Sequence, residues 1–200
     1  MKVFVQRQSL KSTLWWVQRV LFAVAIVSLG YSGYILVDTW IFQSQETAAL
    51  EQFVPERPAT NSVILPAVLR PDGLIGRIEI PRLDLSVVVF EGTSNKTLRR
   101  AVGHITGTVL PGQLGNSGIA GHRDTFFRPL RNIQLNDVIT LTTPSGAYRY
   151  RVVSTKVVRP ASVEVLDTDG TEILTLVTCY PFYYVGPAPD RFIVRAERVT

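Results

Sequence analysis

The stretch that decides the fold is residues 137–158, which read DVITLTT-PSG-AYRYRVVSTKVV. In its second half, Tyr148 and Tyr150 alternate with arginines. A period of two gives a β-strand one buried and one solvated face. The Pro-Ser-Gly tripeptide between the two β-branched runs is typical of a turn. Residues 137–158 therefore predict a β-hairpin.

Similar short runs, separated by turns, continue on both sides of this hairpin. No long amphipathic helix is predicted after residue 50, and one short helix is predicted over Lys96–Val102. We therefore expect a mainly β fold, a closed or nearly closed barrel, because closure removes exposed sheet edges. The predicted strands are Leu74–Ile80, Leu85–Glu91, Gly118–Gly121, Asp137–Thr143, Ala147–Val158, Ile173–Thr178 and Phe192–Arg198.

An apolar segment precedes the predicted barrel. Residues 20–37 carry no charge, and a helix of that length spans about 27 Å, close to the ~30 Å hydrocarbon core of a membrane. Trp15 and Trp16 precede the run and Trp40 follows it, as is typical of membrane interfaces. We predict a transmembrane anchor over residues 20–41.

The charges around the apolar segment predict its orientation. Residues 1–19 contain four basic residues and no acid, which predicts a cytoplasmic N-terminus and a single-pass membrane protein whose body is extracytoplasmic. The alternative is a cleaved signal peptide, but Ala23-Val24-Ala25 lies within the apolar run, which exceeds a signal h-region. Residues 42–72, with four prolines, predict a stalk, and residues 73–200 the β-barrel domain.

The composition excludes several classes of protein. With 46% hydrophobic and 18% charged residues, the chain is too apolar for a disordered protein. One cysteine and two histidines argue against a disulfide framework and against Cys- or His-based metal sites. The net charge of +5 is concentrated at the N-terminus, so no basic face for nucleic acid is expected. We predict no cofactor and no metal, because the carboxylates of Glu164, Asp167, Asp169 and Glu172 are only loosely spaced.

Three residues could together carry thiol chemistry. Cys179 directly follows the run Ile173–Thr178, and His122 directly follows the run Gly118–Gly121. Arg191 directly precedes the run Phe192–Arg198. A thiolate is a nucleophile, a histidine can favour it and later protonate a leaving amine, and an arginine can stabilise an oxyanion. Each also has an ordinary alternative: a packed cysteine, a scaffold histidine, and an arginine paired with Asp190.

The motifs around these residues resemble the sortases, most closely class D. Thr175–Cys179 matches the TLxTC signature of the family, Ala120–Asp124 matches its catalytic-histidine segment, and Arg191 matches its catalytic arginine. The resemblance covers about residues 74–196. It implies an eight-stranded β-barrel with short helices, preceded here by the transmembrane helix. His104 matches no catalytic position, so we expect it to be structural.

The resemblance also implies the activity. A sortase is a cysteine transpeptidase that cleaves an LPxT-type sorting signal in a secreted protein and forms a thioacyl-enzyme. The implied roles are Cys179 as nucleophile, His122 as acid and base, and Arg191 as oxyanion or substrate stabiliser. The implied partners are proteins with a C-terminal sorting signal and an amine acceptor of the cell envelope, and the implied groove lies beside Cys179 and the 158–170 loop.

Two other classes of function remain open at this point. One is another extracytoplasmic thiol enzyme, such as a cysteine peptidase or an L,D-transpeptidase, although Thr178-Cys179-Tyr180 lacks the glycine that precedes the cysteine of the latter. The other is a non-catalytic, membrane-tethered β-domain whose cysteine is packed and inert.

Overall fold

The computed structural model describes residues 4–51, 73–168 and 170–199. Residues 52–72 of the predicted stalk lie outside this part of the chain. The chain divides into two compact units, residues 1–42 and 43–200.

The N-terminal helix, α1, spans Phe4–Glu51, so it includes the predicted anchor and the first ten residues of the predicted stalk. Within the described residues it is the one helix long and apolar enough to cross a membrane: over Thr13–Gln45 its best window has a mean hydropathy of 2.1 and is unburied. Phe22 and Leu29 are 67% and 73% exposed. A signal sequence would meet the same criteria of length and composition.

The second unit contains a closed β-barrel, as predicted. The eight strands follow each other around it in the order β1-β2-β3-β4-β7-β8-β6-β5. Their bounds are β1 Leu74–Ile80, β2 Leu85–Glu91, β3 Val102–His104, β4 Gly115–Gly121, β5 Val138–Thr143, β6 Gly146–Val158, β7 Glu172–Tyr180 and β8 Asp190–Arg198. The short helices are α2 Asn95–Arg100 and the 3-10 turns Pro81–Leu83, Arg128–Asn132 and Val163–Leu166.

The predicted hairpin is β5–β6. Leu141 pairs with Tyr148 and Ile139 with Tyr150, and all four side chains are fully buried. The arginines that alternate with the tyrosines on β6 are exposed. The period of two thus decides which face of the hairpin enters the barrel core.

The bounds of β5, β6, β7 and β8 differ by one or two residues from those predicted, and those of β4 and the short helix were wrong in ways that have a physical reason. β4 begins at Gly115 instead of Gly118. The helix predicted over Lys96–Val102 ends at Arg100, because Val102 opens β3, where it is fully buried and pairs in parallel with Val89. Tertiary pairing overrides the helical spacing there. Ser94 caps the helix by accepting a hydrogen bond from the Thr97 N–H at 3.1 Å.

A polar cluster surrounds the start of β7. Tyr150 donates its hydroxyl hydrogen to Glu172 at 2.8 Å. Nε of Arg198 lies 3.7 Å from the same carboxylate, and its guanidinium lies 5.0 Å from the ring of Tyr148. Burial and the neighbouring Glu172 carboxylate raise the pKa of Tyr150, so this hydroxyl remains a hydrogen-bond donor at neutral pH.

Candidate active site

The parallel pairing of β4 with β7 brings the first two predicted site residues together. Gly121 is in register with Thr178, and Thr178 donates its hydroxyl hydrogen to the Gly121 carbonyl at 2.7 Å. His122 and Cys179 are the next residues along the two chains. Adjacent strands lie about 4.8 Å apart, so His122, just after β4, follows on beside Cys179 near the end of β7.

The antiparallel pairing of β7 with β8 adds the third residue. Cys179 lies directly opposite Arg191, and directly opposed residues have Cβ atoms about 4.5–5.5 Å apart on one face. Three neighbouring strands, β4, β7 and β8, therefore bring His122, Cys179 and Arg191 to one end of the barrel, with the cysteine in the middle.

Alternation along the strands places Cys179 and Arg191 on the outer face of the barrel. Leu176 of β7 and Val194 of β8 belong to the internal core. Residues an odd number of positions away point outward, which includes Cys179 and Arg191, whereas His122 directly follows the end of β4. All three are partly exposed, so a reactant has access to them.

The environment of Cys179 favours an accessible thiol over a packed one. Thr175 and Leu176 of the same strand are fully buried, whereas Cys179 at the strand end is only partly buried. A cysteine kept for packing would be expected among the fully buried residues.

The contacts of Arg191 differ from the predicted alternative of an ion pair. Nη1 donates to the backbone carbonyls of Asp190 at 2.9 Å and of Ala188 at 3.3 Å. Among the described residues, no carboxylate forms a salt bridge with it. A guanidinium carries five N–H donors, so the carbonyl contacts orient this side chain and leave donors for a further acceptor.

The outer face next to Cys179 carries Ala120 and Val177, which pair with each other across β4 and β7 and are partly exposed. The 3-10 turn Val163–Leu166 packs against β4, since a Cβ placed on Gly118 would lie 3.0 Å from Leu166 Cδ2. This turn belongs to the 158–170 loop, beside which the groove was predicted.

Two buried polar residues, Asn116 and Thr175, hold that turn, and neither role was predicted from the sequence. Asn116 donates from its amide to the carbonyls of Val165 and Asp167, each at 3.2 Å. Thr175 in turn donates to the Asn116 side-chain oxygen at 2.7 Å. A lone asparagine in a glycine-rich strand gives no signal in the sequence, because its partners are 49 to 59 residues away.

The sequence analysis also missed Arg123, which follows His122. It is only 6% exposed, and it donates hydrogen bonds to backbone carbonyls of the connection between β7 and β8. The preceding Gly121 has a packing reason of its own: a Cβ there would lie 2.7 Å from the ring of Phe127. The histidine segment is thus held on both sides.

His104 and the acidic loop lie apart from the trio. His104 is 3% exposed; its Nδ1 lies 2.7 Å from Glu91 and its Nε2 lies 3.0 Å from the Val109 carbonyl, which supports the structural role expected of it. In the described part of the chain, no three His, Cys, Asp or Glu side chains form a group that could hold a metal. Asp169 of the acidic loop lies outside the described residues.

Comparison with known proteins identifies the family. Residues 78–199 match the Sortase domain family. Sortase D of Bacillus subtilis (strain 168) is 32% identical over 197 residues, which cover 89% of this chain and 95% of that protein.

Solved structures give the same result. A sortase D5 transpeptidase of Clostridium perfringens is 30% identical, with a TM-score of 0.58 over 64% of this chain and 80% of the other. Sortase C1 of Streptococcus agalactiae is 30% identical, with a TM-score of 0.61 over 66% of this chain and 71% of the other. The chain therefore belongs to the sortase family of cysteine transpeptidases and is most like class D.

Proposed function

We propose that this sortase is anchored in the cell membrane, cleaves an LPxT-type sorting signal in secreted proteins, and transfers the acyl part to an amine of the cell envelope. The observation that carries the proposal is the strand register that aligns Cys179 with Arg191 on β8 and, through the Gly121–Thr178 pair, brings it beside His122, which directly follows β4.

The first half of the reaction makes a thioester. The Cys179 thiolate adds to the carbonyl carbon of the signal's threonine and forms a tetrahedral intermediate, whose oxyanion accepts hydrogen bonds from Arg191. The intermediate collapses as the C–N bond breaks, and the His122 imidazolium gives its proton to the leaving amine. The products are a thioacyl-enzyme, a neutral histidine and the released C-terminal fragment.

The second half returns the enzyme to its starting state. An amine of the acceptor attacks the thioester carbonyl, and neutral His122 takes the proton that the amine loses. Collapse of the second intermediate breaks the C–S bond and releases the Cys179 thiolate, so an amide forms and no net proton is consumed. Arg191 serves both intermediates, since each develops its charge on the same oxygen.

We expect the signal to bind as an extended peptide along the outer face next to Cys179. Ala120 and Val177, which are partly exposed there, offer apolar contact to the leucine and proline of the signal. The 3-10 turn Val163–Leu166 is held by Asn116, so little ordering is needed when a peptide binds. The scissile carbonyl then lies at the Cys179 end.

Helix α1 supports the proposed membrane anchor. Its large apolar side chains between Leu14 and Ile41 are exposed, which water does not favour and a lipid bilayer does. The basic residues before the apolar run place the N-terminus in the cytoplasm, residues 20–41 in the membrane and the barrel outside. Alkaline phosphatase fused after residue 45 should be active, whereas protease attack on the barrel only from the cytoplasmic side would contradict this topology.

Peptide cleavage by the full chain in detergent tests the proposed reaction. Fluorogenic LPxTx peptides and an amine such as triglycine are supplied, and products are identified by mass spectrometry. We expect cleavage after threonine and a new threonine–glycine amide. The control peptide replaces threonine by valine, and the control enzyme is Cys179→Ala. Cleavage of neither LPxT peptides nor their close variants, or equal cleavage by Cys179→Ala, would overturn the proposal.

A further inference from the structure

Arg123 is a buried charged residue that the proposed chemistry does not use. Its guanidinium is almost fully buried, yet the carboxylate nearest to it, Asp124 at 3.4 Å, is 71% exposed. Instead, Nη1 donates to the Pro181 carbonyl at 2.8 Å, and Nη2 donates to the carbonyls of Tyr184 at 2.6 Å and Gly186 at 3.2 Å. Burying a cation is costly unless its donors are satisfied, so this arrangement needs these carbonyls.

All three carbonyls belong to residues 181–189, the connection that joins Cys179 on β7 to Arg191 on β8. The tip of this connection has little other support: Tyr183 is 79% exposed and Val185 is 97% exposed. Its base is held by aromatic contacts among Tyr180, Phe182 and Phe192. Within the described contacts, Arg123 is the main support of the tip, and charge-assisted bonds of this kind are about twice as strong as neutral ones.

The position of Arg123 in the chain gives this support a consequence for the site. It directly follows His122, so the side chain that fixes the 181–189 connection is covalently joined to the histidine. We propose that Arg123 is a positioning residue that clamps this connection to the His122 segment and so sets the relative placement of His122, Cys179 and Arg191. The effect on catalysis rests on the proposed function, whereas the clamp itself does not.

The proposal predicts a loss of rate at nearly constant substrate binding. Arg123 donates its hydrogen bonds to Pro181, Tyr184 and Gly186, and not to the proposed peptide contacts Ala120 and Val177, so KM should change little. A misplacement of about 1 Å can cost about 10²-fold in rate. We therefore expect Arg123→Met to lower kcat about 10- to 100-fold and to change the pH profile of kcat/KM, which reports the acid–base groups of the free enzyme.

The conservative variant and a matched control separate positioning from bulk stability. An ammonium cannot satisfy three separate carbonyls as the planar fork does, so Arg123→Lys should have an intermediate kcat at a wild-type melting temperature. Arg131 is the control, because its described contacts with the same connection are all with the exposed Tyr183 side chain: a 3.0 Å hydrogen bond to the hydroxyl and a ring contact at 5.6 Å. Arg131→Met should keep the wild-type kcat and pH profile.

A second readout does not require activity. Chymotrypsin cleaves after tyrosine, so cutting at Tyr183 or Tyr184 of the full chain in detergent measures how firmly the connection is held. We expect Arg123→Met to be cut at least several-fold faster than the wild type and Arg131→Met. If the wild type cleaves no LPxT peptide, the proposed function fails, while this measurement still tests the clamp.

Different results would contradict the positioning role and the clamp. Wild-type kcat and pH profile in Arg123→Met would contradict positioning, and unchanged cutting would contradict the clamp. If Arg123→Met does not fold, the lysine variant decides: a wild-type kcat in Arg123→Lys overturns the proposal, and a lowered kcat with an unchanged melting temperature supports it.

Discussion

The two ends of the β7–β8 pair each carry an arginine of β8, in opposite surroundings. At the start of β7, Arg198 lies beside the Glu172 carboxylate and the ring of Tyr148. At the end of β7, Arg191 lies opposite Cys179 and contacts only backbone carbonyls among the described residues. The first arginine has its counter-charge inside the protein, whereas the second is left to meet an anion from outside. We therefore call the Arg198 end of this strand pair the structural end and the Arg191 end, which carries the proposed chemistry, the reactive end.

The largest expected effect is at the reactive end. Cys179→Ala should abolish peptide cleavage, because no other thiol exists in the chain to form the thioester. The side chain is small and only partly buried, so the melting temperature should change little. Steady-state kinetics and melting curves check both. Activity in this variant would refute covalent catalysis by Cys179, and a large loss of stability at unchanged turnover would restore the packing interpretation.

The second effect compares Arg191 with an ordinary surface arginine. Loss of one oxyanion donor costs about 10²–10³ in kcat, about 3–4 kcal/mol, so Arg191→Ala should lose at least two orders of magnitude. Arg191→Lys should recover part of this. Arg149→Ala, on the exposed face of β6, is the control. Near-wild-type turnover with a markedly lower melting temperature in Arg191→Ala would make Arg191 structural and remove the contrast.

The third effect should appear at the structural end. Tyr150→Phe removes the hydrogen bond to Glu172 and leaves that carboxylate with one partner fewer, at a cost of about 1–2 kcal/mol of unfolding free energy. Turnover should stay within about twofold, because Tyr150 and Glu172 lie at the other end of β7 from Cys179 and do not contact the reacting atoms. Urea unfolding and kinetics on the same preparation check it. A large drop in kcat at unchanged stability would show that the two ends are coupled.

The smallest effect concerns an ion pair outside both ends. Arg82 donates two hydrogen bonds to Asp137, which lower the pKa of that carboxyl. A lowered folded-state pKa stabilises the protein above the unfolded value of about 3.9, and that contribution is lost as the pH falls through the folded value. Asp137→Asn should therefore melt lower than the wild type at pH 7, by a difference that shrinks below about pH 4. The exposed Asp84→Asn is the control; an equal, pH-independent difference would contradict this origin.

The sequence predicts local patterns better than it predicts contacts between distant segments. The barrel and the trio were predictable, because alternation fixes the buried face of β6 and because short motifs mark Cys179, His122 and Arg191. β3 could not be predicted, because its three residues, Val102–His104, are too few to show the alternation of a strand. Arg123 could not be predicted either, since its partners lie about 60 residues downstream and a charged residue after a strand normally indicates a surface position. Contacts between distant segments leave no local pattern.

The intact mass of the full chain, measured after rapid mixing with an LPxT peptide and an acid quench, shows whether Cys179 forms the thioester. The account predicts one adduct with the mass of the acyl fragment, located on Cys179 by peptide mapping. The adduct should be lost when triglycine is added, absent in Cys179→Ala, and slow to form in Arg191→Ala. An adduct on another residue, or peptide cleavage by Cys179→Ala, would contradict the account.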